Sequence, residues 1–325
     1  MTKLAYILAA SHSGSTLLSM LLGSHPQIAT IGEINLSPRA MGDLDRYRCS
    51  CGEFIRQCQF WHKVKQGMAA RGVAFDIADA GTDYGAVKSR YARRLLRPMH
   101  RGKFLESFRD VALGFSPAWR KELPQIHRRN AALAATISEI TNADVIIDSS
   151  KIGLRLKYLL RNPELDVKVI RLLRDGRAVA LTYMDPATFA DAKDPNRRAG
   201  GMGGDRENQR LPVAQATYDW RRCVQEAEVI LYSLDKSQWI EVRYEDYCKA
   251  PDAVLNRLQQ FLGVEPGKQP KDFRAVEKHV IGNGMRLDTT SEIRLDERWR
   301  NKLTKHDLRV FDNVAGKTNR WYGYE

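Results

Sequence analysis

The chain has 325 residues, with 52 Lys and Arg against 39 Asp and Glu, so its formal net charge at pH 7 is +13. Its 43% of hydrophobic residues excludes an intrinsically disordered protein. Five cysteines in a chain of this length exclude a disulfide scaffold. The sequence contains no run of about 18 apolar residues, so we expect no membrane span. The positive charge favours an anionic partner, which leaves nucleic acid, anionic lipid, acidic glycan and phosphorylated cofactor open.

The first ten residues are apolar enough to be compared with a short signal peptide. However, Ser11-His-Ser-Gly-Ser follows at once, and this pattern is typical of a strand that feeds a loop. We therefore expect a soluble, globular, cytoplasmic protein.

Five short apolar runs predict buried strands, at residues 4–10, 28–31, 143–147, 166–173 and 238–242. Helical stretches follow several of them, at residues 16–22, 154–160, 178–183 and 253–262. This alternation predicts an α/β fold with a central parallel sheet flanked by helices. Polar clusters follow four of the strands, where functional sites of such sheets lie.

Residues 34–125 are too long for a simple crossover between strands and predict a mostly helical insertion on the substrate side. A second irregular segment, residues 185–212, contains Gly200-Gly-Met-Gly-Gly204 and is typical of a loop. Without repeats or a low-complexity tail, the sequence favours one domain over residues 1–325.

The segment Ser11-His-Ser-Gly-Ser-Thr16, between a predicted strand and a predicted helix, is typical of a phosphate-binding loop. Compared with the nucleotide-triphosphatase pattern G-x-x-x-x-G-K-[ST], Gly14 and Thr16 match, Ala9 replaces the first glycine, and Ser15 replaces the lysine. The missing lysine disfavours a standard ATPase or kinase. A serine-rich cap of an ordinary helix is the alternative interpretation.

Two motifs together resemble the sulfotransferase family, which transfers a sulfuryl group from 3′-phosphoadenosine 5′-phosphosulfate (PAPS). His12-Ser-Gly-Ser-Thr16 matches four of the five positions of the family loop [RK]-[ST]-G-[ST]-T, with His12 as the departure. Arg174 ends a predicted strand and Thr182 follows eight residues later, as in the family's 3′-phosphate motif. The resemblance extends to Val242-Arg-Tyr-Glu-Asp246 and more loosely to residues 281–299, and it implies a P-loop-type sheet.

The resemblance also implies the roles of individual residues. Glu33 is the expected general base, and Lys151 and His12 are expected to act on the transferred group. A C-terminal segment, residues 265–300, is expected to close over the nucleotide. PAPS is the implied co-substrate, and no metal is implied. The residues implied in nucleotide binding are His12, Ser13, Gly14, Ser15, Thr16, Arg174, Thr182, Tyr244, Arg286 and Arg294.

The implied partner is an acceptor alcohol such as a sugar, a lipid or a small molecule, and not a nucleic acid. The basic stretch over residues 88–103 has an apolar side, so a peripheral contact with a membrane or a glycan stays open beside a plain solvated helix face. Pro98 argues against one continuous helix there. Cys49, Cys51, Cys58 and His62 suggest a zinc set, but their spacing is not a standard finger, which favours structural thiols.

Two other classes of function remain as alternatives. A kinase-like phosphotransferase on the same scaffold needs a catalytic lysine, yet Ser15 takes the lysine position. A basic protein that binds nucleic acid or membrane does not account for polar clusters at four strand ends beside a phosphate loop. We therefore expect a sulfotransferase with Glu33 as its base.

Overall fold

The fold is built on one parallel sheet, described in a computed structural model that covers residues 1–35, 44–45, 47–97, 102–185 and 210–325. Its strand order is β2-β3-β1-β4-β5. The strands are β1 (Thr2–Ala9), β2 (Ile28–Thr30), β3 (Val145–Lys151), β4 (Leu165–Leu173) and β5 (Trp239–Arg243). All four pairings are parallel, which confirms the predicted fold class. The five predicted strands correspond to these five, with ends that differ by a few residues.

Helices cover both faces of this sheet because side chains alternate along each strand. On one face, Leu4 and Tyr6 of β1 belong to a core shared with the insertion, and on the other, Ala5 and Ile7 pack with the helix after the phosphate loop. The α-helices of the described residues are α1 (Ser15–Leu22), α2 (Gln59–Ala70), α3 (Arg90–Leu95), α4 (Gly102–Gly114), α5 (Pro117–Thr141), α6 (Gly153–Leu159), α7 (Gly176–Met184), α8 (Val213–Leu231), α9 (Tyr244–Lys249), α10 (Pro251–Leu262), α11 (Trp299–Lys302), α12 (Lys305–Phe311) and α13 (Lys317–Trp321).

The segment between β2 and β3 contains helices α2 to α5. The predicted end of the insertion at residue 125 falls inside α5, which runs on through Pro124 to Thr141 and packs against the sheet. Helices α3 and α4 stand on either side of Pro98, which itself lies outside the described residues. The insertion is therefore continuous with the core at its C-terminal end.

The glycine-rich run at residues 200–204 also lies outside the described residues. Within the described ranges, no helix combines the length and the apolar character that crossing a bilayer requires.

Candidate active site

The loop between β1 and α1 requires a glycine at one position. Gly14 has a φ of +85°, and its carbonyl oxygen accepts a hydrogen bond of 2.9 Å from the Tyr247 hydroxyl. A Cβ atom on Gly14 would lie 2.1 Å from that hydroxyl and 2.6 Å from Cδ2 of Tyr244. Glycine is needed both for the backbone conformation and for this close approach. The loop is thereby held at the N-terminus of α1, where a helix favours an anion.

Ser13 places an unsatisfied polar atom inside this loop. Its side chain is buried, and among the described residues its Oγ has no hydrogen-bond partner. A buried hydroxyl group without a protein partner can donate to a ligand or to an ordered water. A phosphate or sulfate oxygen in the loop fits this hydroxyl donor.

Arg174 connects the end of β4 with the phosphate loop. Its Nη1 donates a hydrogen bond of 2.7 Å to the His12 carbonyl, and its Nη2 lies 3.0 Å from Oδ2 of Asp296. The guanidinium stacks over the Tyr244 ring at 4.2 Å, while its buried Nε has no partner among the described residues. A planar cation with a spare donor suits a bound phosphate. Thr182 lies two turns along α7 and lines a cavity together with Arg174. Its hydroxyl donates a hydrogen bond of 3.0 Å to the Ala178 carbonyl.

The contact of Asp296 with Arg174 also shifts the ionisation of that carboxylate. Burial alone would favour the neutral acid, but hydrogen bonds from Arg298 and the positive charge of Arg174 outweigh it and lower the pKa of Asp296 to about 2. Asp296 therefore remains an anion at physiological pH and neutralises part of the charge that Arg174 offers.

His12 adopts a left-handed backbone conformation with a φ of +63°. Its ring packs edge-on against Tyr183, with 4.8 Å between the ring centroids. Few residues other than glycine adopt this conformation, so the fold holds His12 in place against an intrinsic preference. The side chain is therefore positioned at the wall of the cavity.

Glu33 and Lys151 form an ion pair, with Lys151 Nζ 2.5 Å from Glu33 Oε1. Lys151 ends β3 with a φ of +70°, and both side chains are largely buried. Asp148 does not pair with Lys151 but with Arg155, at 3.0 Å. Lys151 is therefore paired with Glu33 and does not serve to neutralise Asp148. A carboxylate and an ammonium group face the same cavity.

A cavity of about 350 Å³ at the carboxyl ends of the strands unites these groups. Eight of the sequence-predicted site residues line it, namely His12, Gly14, Ser15, Thr16, Glu33, Lys151, Arg174 and Thr182. Ser11, which begins the predicted phosphate loop, also lines it, and other lining residues were not assigned a role from the sequence, including Ser150, Tyr183, Asn283 and Met285. Ser150 directly precedes Lys151, and Asn283 and Met285 shortly precede Arg286, so closeness in sequence to those predicted residues was the available signal.

Four predicted nucleotide ligands do not line this cavity in the structure, namely Ser13, Tyr244, Arg286 and Arg294, and of these Ser13 is buried within the phosphate loop. Tyr244 lies beneath the loop and Arg174, and its hydroxyl donates to the Arg294 carbonyl at 3.3 Å. Arg286 is buried, donating 2.7 Å hydrogen bonds to the carbonyls of Gly282 and Arg48. The Arg294 side chain is 73% exposed and pairs with Glu292. Tyr244 and Arg286 thus support the surrounding backbone.

Comparison of this chain with known proteins identifies the family to which it is similar. The model of the sulfotransferase family matches residues 5–267. Carbohydrate sulfotransferase 1 of Mus musculus is 28% identical over 171 residues, 51% of this chain and 35% of that protein. Carbohydrate sulfotransferase 2 of Homo sapiens is 24% identical over 201 residues, 52% of this chain and 37% of that protein.

The matched regions span little more than a third of these curated relatives. Among solved structures, the sulfotransferase domain from the curacin biosynthetic pathway superposes with a TM-score of 0.48 at 17% identity, covering 97% of this chain and 98% of that domain. Because the family model covers most of its residues, the chain belongs to the sulfotransferase family.

Proposed function

We propose that this protein transfers a sulfuryl group from PAPS to the hydroxyl of an acceptor alcohol, with Glu33 as the general base. The observation that carries the proposal is the shared cavity, in which the phosphate loop and Arg174 lie beside the Glu33–Lys151 pair. Such a site provides anion binding and proton transfer together.

The nucleotide half of the site fits the two phosphate groups of PAPS. Ser13 Oγ and the N-terminus of α1 offer donors for the 5′-phosphosulfate, and Arg174 with Thr182 offers donors for the 3′-phosphate. The loop has no lysine, which disfavours a triphosphate substrate. These donors are positioned before the ligand binds, which lowers the barrier to transfer.

The reacting half of the site consists of Glu33 and Lys151. Glu33 takes the proton of the acceptor hydroxyl while the acceptor oxygen bonds to sulfur, and the bond between sulfur and the bridging oxygen of the 5′-phosphate breaks. Lys151 Nζ balances the negative charge that builds up on the departing oxygen. Adenosine 3′,5′-bisphosphate and the sulfated acceptor are the products.

For the acceptor, we favour a carbohydrate or another alcohol. A carboxylate base suits an aliphatic hydroxyl, whose proton must be removed as the oxygen attacks. The names of the curated relatives in the comparison point in the same direction, because those proteins are carbohydrate sulfotransferases.

Calorimetric titration with adenosine 3′,5′-bisphosphate, beside AMP and ATP with Mg²⁺, tests the nucleotide half. We expect micromolar binding of the bisphosphate, weak binding of AMP, and loss of binding in Arg174→Ala. Arg161→Ala is a matched control, because Arg161 pairs with Asp110 on the surface away from the cavity. A preference for ATP would reject the proposal in favour of the kinase-like alternative.

Transfer itself is measured with radiolabelled PAPS and a panel of sugars, phenols and aliphatic alcohols. Glu33→Gln should bind the bisphosphate normally and transfer no sulfuryl group above a low residual rate. Full activity of Glu33→Gln would show that another group acts as the base.

A further inference from the structure

Four potential metal ligands meet where the insertion contacts the C-terminal segment. One ligand atom from each of Cys49, Cys51, Cys58 and His279 lies within 4.8 Å of every other. Nδ1 of His279 is 3.6 Å from Cys49 Sγ and 3.4 Å from Cys58 Sγ, and the sulfur atoms of Cys51 and Cys58 are 3.7 Å apart. This cluster lies outside the cavity described above.

Three of the six separations among the four ligand atoms fit the edges of a zinc tetrahedron, and all six are within 4.8 Å. Bonds of about 2.3 Å to sulfur and about 2.05 Å to nitrogen place two sulfur ligands about 3.8 Å apart and a sulfur and a nitrogen about 3.5 Å apart. The three measured edges are within a few tenths of an ångström of those lengths. Three thiols and one imidazole are also a ligand set that structural zinc sites use.

The local chain explains why a C-x-C spacing works here. Arg48 and Phe54 form an antiparallel bridge, and Gly52, with a φ of +92°, turns the chain between them. Cys49 lies in this turn and donates its backbone N–H to the Glu53 carbonyl at 2.9 Å. Cys58 stands at the start of α2. A tight hairpin and a helix start therefore bring three sulfur atoms to one point.

The fourth ligand comes from far along the chain, which the sequence spacing did not reveal. His62, the imidazole nearest in sequence, is exposed on α2, whereas His279 reaches the thiols from the C-terminal segment. The His279 ring stacks on Phe60 with 4.3 Å between centroids and 7° between planes. Its Nε2 lies 3.6 Å from a Glu277 carboxylate oxygen. This contact is electrostatic and longer than a hydrogen bond, and it places a carboxylate on the side of the ring where metal-bound histidines usually have one.

We propose that Cys49, Cys51, Cys58 and His279 bind one structural zinc ion. Four protein ligands leave no open coordination position, so the ion holds chain segments together and takes no part in the chemistry. This replaces the interpretation of the three cysteines as plain structural thiols. It does not depend on the proposed sulfuryl transfer.

The contacts around the cluster indicate what the ion stabilises. The Val280 N–H donates to Ser50 Oγ at 2.8 Å, and the Gly282 N–H donates to the Tyr47 hydroxyl at 2.7 Å. A Cβ atom on Gly282 would lie 3.3 Å from Glu33 Oε1. The hairpin around Cys49 therefore supports residues 280–282, which pack beside Glu33. Metal binding at the junction is expected to fix the insertion against these residues.

The test uses the full chain, with zinc per chain measured by mass spectrometry after purification. We expect about one zinc ion in the wild type and a loss of about tenfold or more in Cys58→Ser and in His279→Ala. Cys223→Ser and His62→Ala are matched controls, because these residues lie outside the cluster, and both should keep the metal. Equal zinc content in Cys58→Ser and Cys223→Ser would overturn the proposal.

A second measurement on the wild type covers the case in which the variants do not fold. Co²⁺ exchanged into the protein should give the visible absorption of a tetrahedral thiolate site, and a mercurial that blocks thiols should release zinc to a coloured chelator. No cobalt spectrum and no released zinc would overturn the proposal. So would thiol titration in denaturant that shows a disulfide between Cys51 and Cys58.

Discussion

Arg174 and Asp296 form an ion pair at the mouth of the phosphate site, with 3.0 Å between Nη2 and Oδ2. Arg174 is the residue to which we assign the 3′-phosphate of PAPS, so an internal carboxylate already occupies one edge of the guanidinium. Asp296 belongs to the C-terminal segment, residues 265–300, that was expected to close over the nucleotide. The segment therefore contributes a competitor for the phosphate.

Removing this competitor should strengthen nucleotide binding. In Asp296→Asn, we expect adenosine 3′,5′-bisphosphate to bind about three- to tenfold more tightly, because Arg174 keeps its position and loses a nearby anion. Glu297→Gln is the matched control, since Glu297 pairs with Arg300 and not with Arg174. Calorimetry measures both dissociation constants. Weaker binding in Asp296→Asn would mean that Asp296 holds Arg174 in its binding orientation.

The free energy of unfolding should depend on pH through the ionisation of the Asp296 carboxylate. The pKa of Asp296 is lowered to about 2, so its ion pairs stabilise the fold above the unfolded pKa of about 3.9 and lose that effect as pH falls through about 2. We expect the difference in free energy of unfolding between the wild type and Asp296→Asn to stay constant from about pH 5 to 8 and to shrink below about pH 4. Denaturant unfolding across this range measures it, and a change between about pH 5 and 8 would contradict the assignment.

Glu33 and Lys151 should behave as one catalytic unit. We expect Glu33→Gln and Lys151→Met each to lower kcat by about 10²- to 10³-fold, and the double variant to lose less than the product of the two. Bisphosphate binding should change little in either. Glu164→Gln, at the opposite end of the sheet next to β4, is the control. Multiplicative losses would show that the two groups act independently.

The fold and most of the site could be predicted because their signals are local. Each strand is an apolar run, and polar clusters follow four of the five. The eight-residue spacing of Arg174 and Thr182 needs only one strand end and one helix. The Glu33–Lys151 contact spans 118 residues, and no spacing rule reports it. The roles of Asp296 and His279 also depend on contacts between segments far apart in sequence, so the structure was required to find them.

Arg286 shows that sequence can also suggest a ligand where the structure has a supporting residue. In sequence, an arginine close to the proposed nucleotide site resembles a phosphate ligand. In the structure, Arg286 donates hydrogen bonds to backbone carbonyls, and its guanidinium stacks over the Tyr47 ring at 4.6 Å. Residue type and position do not distinguish an arginine that binds a ligand from one that holds a loop.

His12 should act through its donor groups. We expect His12→Arg to keep sulfuryl transfer within about tenfold of the wild type and His12→Ala to lose more, because arginine, like histidine, offers N–H donors to the phosphosulfate and alanine offers none. Arginine and alanine must both adopt the left-handed backbone conformation that His12 has. The backbone cost is therefore similar in the two variants, and their comparison reports on the side chain. Rates with saturating PAPS measure the effect. Equal and full activity in both variants would remove His12 from the site.

The buried pair of Arg155 and Asp148 should be the strongest determinant of stability near the site. Arg155 Nε lies 3.0 Å from Asp148 Oδ2, and its other nitrogens donate 2.7 Å hydrogen bonds to the Thr82 carbonyl and to Asn130 Oδ1. Both partners are almost fully buried. Arg155 thus connects β3, which ends at Lys151, with the insertion and with α5.

Replacing Arg155 with methionine leaves the Asp148 carboxylate buried without its cation. We expect Arg155→Met to lower the free energy of unfolding by about 3–5 kcal/mol, and Asp148→Leu combined with Arg155→Met to recover part of that loss. Arg161→Met, on the surface of the same region, should change stability by less than about 1 kcal/mol. Urea unfolding followed by circular dichroism measures all three. A loss in Arg155→Met no larger than in Arg161→Met would show that water reaches Asp148 and that the pair does not hold the strand end.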